Sequence, residues 1–393
     1  MKSRAAQRFA GLTRSATVAI HDLVQDLRAG GARILDLGGG QPDVATAGHI
    51  AAEAAAALEA GFTHYTGSRG LPELLTAIAA KLAKDNGIAV DPRTDVIVTP
   101  SAKHALFVSM MTILDPGDEI LVPSPGWVSY TSIAHLVGAR AVPVELSPTN
   151  GFRITRRLLD TCVTDRTRAI LVNTPTNPTG NALRREEAED IAAFAAEHDL
   201  FVVADEIYEK IIFAGRKHLS LAALPGCADR TLTVNGFSKS YAMTGWRLGY
   251  VAGPTDLIGE AVKVQEHTVS CAASFAQRGG IAALTGGQQF VLDMAQEYGR
   301  RRSRTVAALA AMPGVECADP DGTFYAFPDV RGAGFADSAE FAKWLLRTAG
   351  VAVVAGTAFG PGGAGHVRIS FAAAPAVLDE ALDRMAAALA DRA

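Results

Sequence analysis

Residues 231–253 read TLTVNGFSKSYAMTGWRLGYVAG, and the fold turns on this stretch. Leu232 and Val234 alternate with polar residues, a strand pattern. The chain then breaks into small residues and resumes an apolar run over 248–252, so Lys239 and Arg247 sit on a loop between two strands. Apart from Lys239 itself, no acid or base lies between Arg230 and Arg247, while Gly, Ser, Tyr, Met and Trp fill the loop. A lysine near an arginine ordinarily belongs to a solvated surface; in this company the loop reads as packed. A lysine amine becomes a nucleophile toward a carbonyl when its surroundings depress its pKa. An arginine holds an anion such as phosphate in a fixed fork.

Working outward, strands at 95–99, 119–122, 141–146, 168–172 and 200–204 alternate with helices at 101–114, 129–137 and 184–198. Alternation with continuous apolar strands predicts a mainly parallel sheet covered on both faces. Upstream lie an arm, a helix at 18–28, a short strand entering GGGQPD, and helices at 49–60 and 72–85. Downstream come a helical region from 277, a long helix at 289–311, paired strands within GVECADPDGTFYAFPDV, a helix at 339–349, the short strands VAVVAG and HVRISFA, and a last helix at 374–390. The expected class is α/β. Residues 46–285 are expected to form a large domain, its mainly parallel sheet sandwiched by helices. Residues 1–45 and 286–393 supply an N-terminal arm and a smaller α+β domain.

Composition narrows the function. The net charge of −4 offers no basic excess for nucleic acid or an anionic membrane. No run approaches the roughly 18 uninterrupted apolar residues of a membrane span, and residues 1–20 read without the apolar core of a signal peptide. The four cysteines are far apart with no CxxC, so neither a metal site nor a disulfide framework is expected, and a reducing cytoplasm fits. Neither GxGxxG nor GxxxxGK[ST] occurs, which argues against a nucleotide fingerprint.

In open parallel sheets ligands gather at the carboxyl ends of the strands. There the chain delivers Ser101-Ala102-Lys103 at a helix start, Trp127 after EILV, Asn173 and Asn177 after AILV, Asp205 with Tyr208 after LFVVA, and Lys239 after TLTVN. A pyridine cofactor with an aldehyde and a phosphate needs this set: pyridoxal phosphate (PLP), linked to a lysine as a Schiff base. Asp205 suits the ring N–H⁺, Asn177 and Tyr208 its phenolate oxygen, and Trp127 one ring face. The helix start and Arg247 suit the phosphate. Alone, Asp205 also reads as an N-cap before EIYEK, Trp127 as a core residue and Asn177 as an Asn-Pro turn. The coincidence carries the argument.

On the segments SATVAI (15–20), GGGQPD (38–43), YTGSRGLPEL (65–74), VTPSAKHAL (98–106), LDPGDEILVPSPGWVSY (114–130), NTPTNPTG (173–180), DEIYEKIIF (205–213), NGFSKSYAMTGWRLGY (235–250) and GHVRISFA (365–372), the chain resembles the fold-type I PLP-dependent aminotransferases of class I/II. It is most similar to the bacterial aspartate aminotransferases whose lineage includes prephenate aminotransferases. The resemblance implies that Lys239 is the Schiff-base lysine and proton carrier, and that Asp205 and Tyr208 act with it. It implies that Asn177, Trp127, Arg247 and the Ser101, Ala102 and Lys103 segment bind the cofactor. Tyr65 would reach the phosphate of a partner subunit, which makes a homodimer. Arg368 would clamp the substrate α-carboxylate with Asn177, Trp127 and the Gly40 backbone, while Lys103, Ser15 and Thr17 would read a distal carboxylate. The implied reaction is ping-pong transamination between an L-amino acid, aspartate or glutamate, and a 2-oxo acid. Aromatic amino acids, prephenate, another reaction on the same fold, and a PLP-binding regulator remain open. Gly126 stands where relatives often carry Tyr, which implies a wider pocket.

Overall fold

The computed structural model describes residues 16–335 and 337–392 and, ahead of them, Ala6, Phe9, Ala10 and Leu12. The chain opens with α1 (Ala16–Ala29), β1 (Leu35–Asp36), α2 (Gly48–Glu59) and α3 (Pro72–Lys81). The alternating stretch is β2 (Val96–Thr99), α4 (Ala102–Ile113), β3 (Glu119–Ser124), α5 (Ser129–Leu136), β4 (Arg140–Glu145), α6 (Arg156–Asp160), β5 (Thr167–Asn173), α7 (Arg185–Glu197) and β6 (Phe201–Asp205). Then come β7 (Thr231–Gly236), β8 (Gly249–Ala252), α8 (Thr255–Glu266), α9 (Ser274–Thr285) and α10 (Gln289–Ala310). The chain closes with β9 (Tyr325–Ala326), α11 (Ser338–Ala349), β10 (Val351–Ala352), β11 (Val354–Ala355), β12 (Val367–Ser370) and α12 (Pro375–Ala390).

Seven strands form one sheet in the order β2-β8-β7-β6-β5-β3-β4. Every pairing in it is parallel except the two made by β8. The exception follows from the connection: residues 237–248 turn back without a crossover helix, and only an antiparallel partner is reached that way. Strands β2, β3, β7 and β8 are buried along their whole length, as both-face coverage requires. Side chains such as Ile120 and Leu121, both at 0 % exposure, each contribute about 1.5–3 kcal/mol by leaving water. In the register, Asn173 pairs with Asp205 and Asp205 with Val234, so the ends of β5, β6 and β7 stand level.

Two small sheets lie apart from this one. Strand β1 pairs parallel with β10, and β12 is flanked antiparallel by β11 and β9. The VAVVAG run, expected as one strand, is thus two, each serving a different sheet. The hairpin or paired strands expected within 314–330 are mostly replaced by the pairing of β9 with β12, leaving Glu316 opposite Asp329 as an isolated bridge. Helices α6 and α8 are not among the expected elements, although α8 buries Ile258 and Ala261 at helical spacing. The helix expected over 72–85 ends at Lys81 and widens into a π-turn over Leu82–Asn86.

Candidate active site

A cavity of about 440 Å³ opens at the carboxyl ends of β5, β6 and β7 and is walled opposite by the glycine loop 38–40, Tyr325 and Arg368. Its floor is set by strand ends. Asp205 is the last residue of β6 and is 3 % exposed. Its Oδ2 accepts from the Tyr130 hydroxyl at 2.7 Å, and its Oδ1 accepts from the Ile207 N–H at 3.2 Å. Burial pushes this carboxyl up to about 6, against the pull of those two bonds. Asn173 ends β5; it donates to the Asp205 carbonyl at 2.9 Å and accepts from the Asn177 N–H at 2.8 Å. Tyr208 follows one turn after Asp205, and its hydroxyl shares a 3.0 Å bond with that of Tyr325.

Lys239 reaches this floor from the loop after β7. Its Nζ donates to the Gly40 carbonyl and lies 5.9 Å from the Tyr208 ring centre. Burial, then the charges of Arg368 and Arg247, outweigh Asp205 and bring the ammonium down to about 7. The loop is packed as its composition implied. Trp246 donates from Nε1 to Thr46 at 3.0 Å, and Thr46 donates to the Ala242 carbonyl at 2.7 Å.

One end of the cavity is built from backbone. Ser101 caps α4, holding φ 100° and ψ 155°, a conformation few side chains tolerate. The first residues of α4 press onto β8 at Gly249, where a Cβ would sit 2.3 Å from the Ala102 nitrogen. Gly236 lies opposite Gly249 in register, and a Cβ there would come within 2.9 Å of the Gly249 Cα. Side chains are therefore excluded at both positions, and the helix start with its free N–H groups is brought beside Arg247. Arg247 is exposed, left-handed at φ 52°, and donates to the Thr244 carbonyl at 2.7 Å. Trp127 is half-buried, edge-on to Tyr130 at 5.3 Å, with the Lys103 ammonium 4.9 Å from its ring centre. Burial and the charge of Arg247 lower the Lys103 pKa.

The other end is a buried cation. Arg368, on β12, is 2 % exposed. Its Nη1 donates to Asn177 Oδ1 at 3.0 Å and its Nη2 to the Gly38 carbonyl at 2.7 Å, while Nε has no partner. Its guanidinium carbon lies 4.3 Å from the centre of the Tyr325 ring. Among the described residues no carboxylate pairs with it. A charge taken out of water and met only by neutral oxygens is costly unless an anion joins it.

Of the residues singled out from sequence, Gly40, Ser101, Ala102, Lys103, Trp127, Asn177, Asp205, Tyr208, Lys239, Arg247 and Arg368 all line this one cavity. Tyr65 does not; it is 89 % exposed on the surface of this chain. Ser15 lies outside the described residues, and of Thr17 only its place in α1 is described. The expectation attached to Gly126 is corrected. It does not line the cavity, and a Cβ there would meet the Pro123 carbonyl at 2.2 Å, so its lack of a side chain serves the chain path rather than pocket width. Tyr130 and Tyr325 are additions. Tyr130 had a local signal, one helical turn after Trp127. Tyr325 had none, because only its register with Ser370 brings it beside Arg368.

The chain matches the family model for aminotransferase class I and II over residues 32–385. It is 48 % identical to an aspartate aminotransferase of Musicola paradisiaca, across 98 % of this chain and 96 % of that one. It is 41 % identical to aromatic-amino-acid aminotransferase 2 of Thermococcus litoralis, across 93 % and 94 %. The aspartate aminotransferase of Thermus thermophilus, solved with maleate, superposes with a TM-score of 0.93 at 38 % identity, covering 98 % of this chain and all of that one. The chain therefore belongs to the class I and II aminotransferases and is a PLP-dependent enzyme of transamination. The site fits that cofactor on its own chemistry. It holds a buried carboxyl for a ring nitrogen, an amine lowered to about 7 for an aldehyde, and a helix start with a guanidinium for a phosphate.

Proposed function

We propose that this enzyme moves the amino group of a dicarboxylic L-amino acid, aspartate or glutamate, to 2-oxoglutarate or oxaloacetate in a ping-pong cycle. One observation carries the substrate reading: the buried Arg368 faces the cavity with neutral oxygens alone as partners, while a second cation, Lys103, stands across the cavity beside Trp127. A dicarboxylate answers both. The maleate in the Thermus structure is a dicarboxylate held by a relative, which supports the same reading.

The geometry supports the following roles. Bound PLP supplies an aldehyde that links to amines and a ring that accepts the electron pair left when the substrate Cα loses its proton. Asp205 pairs with the ring nitrogen; a cation there offsets the burial that raises its pKa, so it stays ionised. With Asn177 Oδ1 engaged by Arg368, the amide nitrogen of Asn177 is the donor that remains, and with Tyr208 it meets the phenolate oxygen. The backbone N–H groups of Ser101, Ala102 and Lys103, with Arg247, would hold the phosphate, and Trp127 would cover the ring. Lys239 would link to the aldehyde and, as a free neutral amine, would accept the substrate Cα proton and carry it, a task its depressed pKa suits. Arg368 grips the α-carboxylate with the Gly40 backbone nearby, and Lys103 the distal one, with Ser15 and Thr17.

We further propose a homodimer in which Tyr65 crosses to the partner's phosphate. Its exposure is consistent with this, as is the anchoring of its loop by the buried Gln277, which donates to Thr66 at 3.0 Å and accepts from the Leu71 N–H at 2.8 Å. We also propose a division into 46–285 against 1–45 with 286–393, which would let the smaller part close over the substrate. Among the described residues no helix is long and apolar enough to cross a membrane; the four free cysteines suit the reducing cytoplasm that we propose as the setting.

A second reading has its own support, since the Thermococcus relative is named for aromatic amino acids. A screen of single amino acids against the PLP-loaded protein, following conversion of its visible absorption to the pyridoxamine form, separates the two. Fast conversion by aspartate and glutamate alone, lost in Lys103→Ala, supports the dicarboxylate reading. Fast conversion by phenylalanine or tyrosine overturns it.

A further inference from the structure

Behind the site lies a second polar cluster that transamination itself does not use. The turn after β6 carries its groups in two directions. Asp205 and Tyr208 enter the cavity, whereas Glu206 and Glu209 enter the protein interior at 0 % and 7 % exposure. Glu206 Oε2 accepts from Ser220 Oγ at 2.7 Å, from Asn86 Nδ2 at 3.1 Å and from the His218 ring at 2.9 Å. Glu209 accepts from Asn86 at 2.7 Å and is ion-paired with Lys81, itself only 8 % exposed. Ligand atoms of Glu206, Glu209 and His218 lie within 4.8 Å of one another, a set that would suit a cation, and here the ammonium of Lys81 supplies that charge.

Such a cluster is a poor stabiliser. Burying two carboxylates, an ammonium and an imidazole costs as much as their pairing returns. It does fix geometry, because Glu206 Oε2 meets three partners at once and Glu209 two, although Glu206 Oε1 and His218 Nδ1 have no partner among the described residues. The turn is short and stiff, with Glu206 N–H bonded to the Val234 carbonyl at 2.9 Å and Glu209 N–H to the Glu206 carbonyl at 3.0 Å. Whatever fixes Glu206 and Glu209 also fixes the groups between and beside them.

We propose that Glu206 and Glu209, locked by Lys81, Asn86, His218 and Ser220, are positioning residues that aim Asp205 and Tyr208 at the cofactor. The proposal rests on the PLP reading above. The charge states support it. Burial raises the Glu209 carboxyl, but Lys81 and then His218 draw it down to about 2. Burial lowers the His218 imidazole, and Glu206 outweighs that to raise it.

The test uses apo protein of the full chain, titrated with PLP, and reads affinity together with the visible circular dichroism of the bound chromophore per unit absorbance. Glu206→Gln is expected to raise the PLP Kd roughly tenfold and to reduce that dichroism, the scale on which supporting groups act on a bound centre. Ser220→Ala, which removes one neutral donor, is expected to do the same by roughly threefold while the apo protein still melts cooperatively. A folded Glu206→Gln with unchanged Kd and dichroism overturns the proposal. If that variant does not fold, Ser220→Ala decides by the same criteria. Wild-type apo protein that takes up no PLP sinks the cofactor reading instead, so the two failures are distinct.

Discussion

The two ends of the cavity are equipped for anions by different means. At the Ser101 end the binding groups are backbone N–H at the start of α4, brought close by two glycines that face each other across β7 and β8, with an exposed arginine added. At the Arg368 end a single guanidinium is buried, held by a side-chain amide and a carbonyl from two distant segments. The first end resembles a socket for a permanent guest: its groups are fixed by the main chain. The second is poised for a transient one. It carries a desolvated charge whose cost is relieved only while an anion is present, so binding energy appears when substrate arrives. Between them stands Lys239, drawn down to about 7 by burial and by both arginines, the group proposed to serve guest and substrate in turn.

That contrast can be broken by experiment. Lys239→Ala strikes the group common to both ends, and turnover is expected to fall by about 10⁴-fold, measured by single-turnover conversion of loaded enzyme. Arg368→Gln should touch the substrate end alone: kcat/KM for aspartate is expected to drop by roughly 10²–10³-fold while PLP affinity holds. An equal loss of PLP affinity would show that the ends are not separable. The rate of PLP uptake by apo protein tests the shared lysine through pH. Its amine is neutral above about 7 rather than above 10.5, so uptake should rise about tenfold per pH unit below 7 and level off above it. A rise continuing past pH 9 would mean that the depressed pKa is absent. The smallest effect is expected at Tyr130→Phe, roughly tenfold or less in PLP affinity near neutral pH. Its bond holds the Asp205 pKa down, so losing it raises that pKa, and affinity should fade at a higher pH on the acid side than in wild type.

The difference between the ends is also a difference in legibility. The SAK segment, the NPTG loop, the DEIY turn and the SKSYAMTGWR loop are each contiguous, so local residue type and the rule of strand ends sufficed to assemble Ser101, Asn177, Asp205 and Lys239. Arg368 entered through resemblance; within HVRISF its alternation reads as well for an exposed strand. Nothing near Tyr325 marks it. Gly126 misled because a missing side chain reads as space, whereas the neighbouring Pro123 carbonyl occupies that space. The antiparallel β8 was implicit in a connection without a helix, but the split of VAVVAG was not, since periodicity reports which faces are apolar and not which partner strand they meet.

By itself, then, the sequence determined the class of fold, the order of strands and helices, and the chemical kind of group at each strand end. These depend on apolar periodicity and on residues close together in the chain. Tertiary structure alone decided the split of VAVVAG between two sheets, the facing glycines that seat α4, the Tyr130 hydroxyl on Asp205, and the burial of Arg368 against neutral oxygens. Each of these is a contact between segments remote in sequence, and what it costs or contributes exists only once packing has removed the water between them.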